Sequence, residues 1–247
     1  MLATKKSGGR RQDRPSTERL TAFLLGALRA KGVAEKTVQV VRRESGRLVS
    51  TFTNEVATCV VDGSHELRVF CKYGHTTVDP LFGHVGGVGY EAQVYRDILD
   101  HLALFSPRYY GSWSTEDENE TWLAIEFLEG GMPLTKGPQP AGILSAARMA
   151  GELHARSAEL VTSERFGRLM TYDLAYFSSW IERVLGLARL LRDRYPWLPT
   201  VGQHFFDRLP FIDSLPRTLV HGEFIQKNVF VRGGISSGQR TEVVAVD

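Results

Sequence analysis

Apolar positions change their period several times along the chain. Leu20, Phe23, Leu24, Ala27 and Leu28 recur at helical spacing behind Ser16 and Thr17, either of which can cap a helix, with Glu18 in the first turn and Gly32 as the stop. Three strand-like runs follow, at 38–43, 55–61 and 66–74, and the Asp62-Gly63 turn joins the second to the third. They predict an antiparallel meander. A glycine-rich loop (Gly83, Gly86, Gly87, Gly89) leads to a helix from Tyr90 to about Leu102. Runs at 109–113 and 121–127 predict two more strands, with the polar tract 115–120 as their hairpin.

After Gly130-Gly131 the character shifts. Pro133, Gly137 and Pro140 mark a linker, and helical periodicity then dominates at about 142–158, 173–194 and 201–214. The last segment returns to strands: Val229-Phe230-Val231, a glycine turn, then 242–247. The pattern predicts an α+β chain with a basic leader at 1–15, a small antiparallel-sheet lobe at 16–131 ending in a hinge near 126–131, and a mainly helical lobe at 132–247.

Composition narrows this picture. Of 247 residues 43% are apolar and 23% charged, the profile of an ordinary globular protein with a real core. A net charge of +2 gives no footprint for nucleic acid, and much of the positive excess sits in the leader at Lys5, Lys6, Arg10, Arg11 and Arg14. No apolar run approaches membrane-spanning length. Cys59 and Cys71 lie in neighbouring strand-like runs without metal-ligand spacing and read as buried small hydrophobes. A cytoplasmic location, with neither membrane nor nucleic-acid partner, is the expectation.

The candidate chemistry is ordered along the chain. Lys72 ends the third strand, where an ammonium can meet phosphate oxygens, and Glu91 opens the following helix, where it can pair with Lys72 or simply favour the helix dipole. Glu126-Phe127-Leu128 ends an apolar strand and can present backbone groups to a nucleotide base; an exposed strand end is the plainer alternative. The loop 44–54 can lie over phosphates. Glu223 stands five residues before Asn228, and a short strand pair then closes on Asp247. That order suits phosphoryl transfer: Glu223 as base for a hydroxyl, Asn228 and Asp247 as oxygen ligands for magnesium. His221 fits a bracing role better than a catalytic one, and His154 that of a packed helix residue. Walker A, Rossmann, G-x-S-x-G and H-E-x-x-H patterns are absent.

His221-Gly222-Glu223 with Asn228, then Val246-Asp247, resembles the H-G-D-x-x-x-x-N loop and following strand of the aminoglycoside phosphotransferase / choline kinase-like family. Leu153-His154, Lys72 and Glu91 match further positions. The resemblance runs from about residue 36 onward. It implies a two-lobed protein-kinase-like fold and magnesium-assisted transfer from ATP or GTP to a small-molecule hydroxyl. Glu223 stands where the family has Asp. The family continues with further helices past its metal-binding Asp, so an incomplete helical lobe is expected, with apolar faces exposed on the helices at 173–194 and 201–214. The second reading is a truncated or degenerate kinase-like module that binds nucleotide or a partner with little catalysis.

Overall fold

The structure is a computed structural model describing residues 13–46, 52–74, 87–102, 106–117, 120–137, 140–164, 166–232 and 242–246. Most of the leader, residues 47–51 of the loop 44–54, Gly83 and Gly86, and Asp247 lie outside the described residues.

Helix α1 spans Thr17–Ala30. Ser16 caps it, its hydroxyl accepting from Arg19 N at 3.3 Å. Leu20, Leu24 and Leu28, one turn apart, are fully buried, and each contributes roughly 1.5–3 kcal/mol of transfer free energy. The strands β1 (Val38–Ser45), β2 (Thr53–Val61) and β3 (His65–Gly74) form the expected meander. Strands β4 (Tyr109–Ser114) and β5 (Thr121–Glu126) complete a five-stranded antiparallel sheet in the order β1-β2-β3-β5-β4.

Alternation along β3 sorts the two faces. Val69, Cys71 and Tyr73 pack in the core that holds the α1 leucines. Phe70 and Lys72 take the opposite face, opposite Ile125 and Leu123 of β5. That second face is covered by α2 (Val88–Val94), which runs through a π turn at Tyr95–Leu99 into α3 (Asp100–Leu102). Val88, Ala92 and Tyr95 bury against Leu123 and Ile125.

Two polar clusters pin the sheet. The Glu55 carboxylate, fully buried on the α1 face, accepts from Tyr73 Oη at 2.6 Å, Arg43 Nη2 at 2.6 Å and Arg43 Nε at 3.0 Å. Arg43 Nη1 also donates to Pro15 O at 2.9 Å and so ties the start of α1 to β1. The bond to Glu55 raises the Arg43 pKa, while burial, with Glu55 beside it, pushes the Tyr73 phenol up. In the β2–β3 turn Asp62 adopts φ 49°. Its carboxylate accepts from the amides of Glu35, Lys36 and Thr37 at 2.8, 2.7 and 2.8 Å, which hold its pKa down at about 2.

Beyond the hinge, β6 (Met132–Pro133), β7 (Val229–Arg232) and β8 (Glu242–Ala245) make a second antiparallel sheet in the order β6-β7-β8. Helix α4 (Ala141–Ser157) packs Ala146 and Met149 on Val229, Val231 and Val243. By internal contacts the chain divides into two compact units, Met1–Leu153 with His221–Asp247, and His154–Val220. The second contains α5 (Leu174–Leu190) and α6 (Leu198–Asp213), which pack against each other. Asp173 caps α5 through Tyr176 N at 2.8 Å. Helix α6 starts earlier than its periodicity suggests, because Pro199 is tolerated in a first turn. Leu187, Leu190 and Phe211 are 56%, 83% and 63% exposed, so this pair does present apolar faces. Among the described residues no helix is long and apolar enough to cross a membrane. The whole is the mixed α and β, kinase-like architecture that the resemblance implies: a five-stranded antiparallel sheet followed by a helical region.

Candidate functional site

Lys72 reaches the α2 face because its register opposite Leu123 turns it away from α1. Its Nζ donates to Glu91 Oε2 at 2.6 Å, with the two side chains 6% and 15% exposed. The Phe52 ring centroid lies 5.7 Å from the same ammonium. Glu91 sits in the first turn of α2, so the helix dipole and the ammonium both favour its charge. A strand lysine and a helix glutamate 19 residues apart thus meet as an ion pair.

The acid-to-amide loop is a compact turn. Gly222 adopts φ 84°, a left-handed conformation that favours glycine. Ile225 N donates to Glu223 O, and Asn228 N to Ile225 O, both at 2.8 Å. Asn228 is 5% exposed. Its Nδ2 donates to Glu223 O at 3.3 Å and Glu223 Oε2 at 3.4 Å. Val246 N donates to Asn228 O at 2.8 Å, which brings the end of β8 beside the loop. His221 is half-buried and meets Phe224 edge to face at 5.8 Å.

The donor set suits a hard cation. With its nitrogen turned to Glu223, Asn228 offers an amide oxygen, a ligand type magnesium accepts. Among the described residues no three His, Cys, Asp or Glu side chains gather as a metal site, and Asp247 lies outside those residues.

The hinge carries contacts that sequence reading does not find. The Glu126 side chain pairs with Arg232 Nη2 at 2.5 Å and accepts from Arg108 N at 3.1 Å. Glu126 N donates to Arg108 O at 2.8 Å. The Phe127 carbonyl accepts from Glu129 N at 2.9 Å and that of Leu128 from Gly131 N at 3.1 Å. The Arg68 guanidinium stacks 3.9 Å over Phe127 and pairs with Glu129 at 3.2 Å. Nothing local marks Arg232 or Arg68, because their partners lie 106 and 61 residues away. These groups line a cleft of about 410 Å³, with Glu66, Leu67 and Tyr110. Neither Lys72 nor Asn228 borders it.

No curated protein matches the chain. The model of the phosphotransferase enzyme family (APH) matches residues 79–239, a span that includes Glu91, the hinge and the loop from His221 to Asn228, and the chain belongs to that family.

Proposed function

We propose that the chain transfers the γ-phosphate of ATP or GTP to a hydroxyl of a small molecule. The observation that carries this reading is the Lys72–Glu91 ion pair at 2.6 Å, a nearly buried ammonium held on the sheet face away from α1. Lys72 would meet phosphate oxygens, with Glu91 fixing its position. Backbone groups of Glu126 and Leu128 would take the base. Glu223 would accept the acceptor's proton as the acceptor oxygen bonds to the γ-phosphorus and the bridging oxygen leaves with the diphosphate. Asn228 would hold magnesium, with Asp247 as its second ligand, and the bond from Val246 N to Asn228 O supports that pairing. The metal, when bound, neutralises charge on the phosphates. His221 would brace the loop.

The test is magnesium-dependent release of ADP or GDP across a panel of hydroxylated acceptors, with thermal shifts in nucleotide run alongside. Turnover that disappears in Asn228→Ala supports the proposal; turnover unchanged in that variant overturns it. A second reading, a nucleotide-binding module with little catalysis, is favoured by one observation: the Glu223 carboxylate, one C–C bond longer than aspartate, already lies 3.4 Å from the Asn228 amide. Stabilisation by nucleotide without turnover over the whole panel selects it.

A further inference from the structure

Glu126 ends β5 and Arg232 ends β7, so their ion pair joins the five-stranded sheet to the second, three-stranded sheet. The contact is short, at 2.5 Å, and the two side chains are 29% and 27% exposed for Arg232 and Glu126. The other Glu126 oxygen is held by Arg108 N, so the carboxylate has little freedom to follow Arg232 if that partner moves. One strand over, Arg68 stacks on Phe127 and pairs with Glu129. Residues 126–129 are therefore gripped at both ends by guanidinium groups from β7 and β3.

Register puts the two halves of the grip on opposite faces of the sheet: Arg68 alternates with Phe70 and Lys72, and Glu126 does not. Glu126 is opposite Val69, whose side chain packs on the α1 side, whereas Lys72 points the other way. The Glu126–Arg232 pair thus acts on the hinge from the side of the sheet away from Lys72. The grip is also incompletely satisfied: Arg68 Nε and Arg232 Nε are buried donors without a hydrogen-bond partner among the described residues. The four side chains are 27–64% exposed, so the pairs act by fixing geometry more than by adding stability.

We infer that Arg232 is a positioning residue for nucleotide binding: through Glu126 it sets where the hinge backbone stands relative to the Asn228 loop, which β7 continues. This rests on the nucleotide-site reading above. Arg232 touches no substrate in this role; it fixes the frame that does, and small misplacements of a binding frame are costly.

The test titrates MgATP into wild type, Arg232→Met, Arg232→Lys and the charge exchange Glu126→Arg with Arg232→Glu. Amide exchange at residues 127–131 is followed in each without nucleotide. Arg232→Met is expected to weaken MgATP binding about tenfold or more and to speed hinge exchange, while Arg232→Lys and the charge exchange recover much of both. Unchanged MgATP affinity in Arg232→Met overturns the inference, as does a loss that neither Arg232→Lys nor the charge exchange recovers. Wild-type protein that binds no MgATP overturns the proposed function instead. Hinge exchange alone then decides the grip: faster in Arg232→Met upholds it, and unchanged ends it.

Discussion

Glu91 Oε2 lies 2.6 Å from Lys72 Nζ, and neither side chain exceeds 15% exposure. Removing either partner leaves the other charge nearly buried. Lys72→Met is expected to lower phosphoryl transfer about 10²–10³-fold, the usual loss when one preorganised donor to transition-state charge is removed. Glu91→Gln keeps the ammonium and loses its orientation, so a smaller drop is expected. Nucleotide-release assays on both variants check the order.

The Glu223 carboxylate belongs to the same hydrogen-bonded turn as Asn228. Glu223→Gln preserves shape and removes the base, with an expected loss of about 10²–10⁴-fold in turnover. Glu223→Asp keeps the charge and draws it back from Asn228, so turnover is expected to survive. Equal losses in both variants argue that the carboxylate is not a proton acceptor.

Arg43 and Glu55 form a pair whose carboxylate is fully buried. Arg43→Met leaves that carboxylate only Tyr73 Oη at 2.6 Å and the Arg14 guanidinium at 3.6 Å, and frees Pro15, so unfolding is expected to become easier by up to about 3–5 kcal/mol. Urea denaturation measures this, and replacing Glu55 as well with Gln is expected to recover part of the loss.

Asp62 supplies an acid-sensitive contribution to stability. Its carboxyl is lowered from the ordinary 3.8 to about 2 by three amide donors, so its contribution is complete above about pH 4 and is lost as pH falls toward 2. Asp62→Asn is expected to lower Tm at neutral pH and to flatten the dependence of Tm on pH between about 4 and 2. Parallel profiles for the two proteins contradict this assignment.

The strands and helices were legible because each is announced locally: Ser16 before a leucine stripe, Asp62-Gly63 between two apolar runs, Asp173 before α5. The Lys72–Glu91 meeting was legible because a strand end and a helix start fix both directions. Strand order was not. Placing β5 beside β3 depends on cross-strand packing of Leu123 and Ile125 with Phe70, which no local pattern encodes. Strand β6 leaves no mark in the sequence because two residues, one of them proline, carry no periodic signal. The partners of Glu126 are not legible because charge alone does not say which distant arginine arrives.

The place of β5 between β3 and β4 has a mechanical outcome. The strand that feeds the hinge is bonded along both edges and leaves the sheet from its interior, so it acts as a fixed cantilever. Beyond Glu126 the chain turns at Gly130, whose φ of 65° favours glycine, and at Gly131, where a Cβ would meet Leu128 at 3.1 Å. A swing of the second sheet against the first would turn about that short span and leave Lys72 and Glu91 in place.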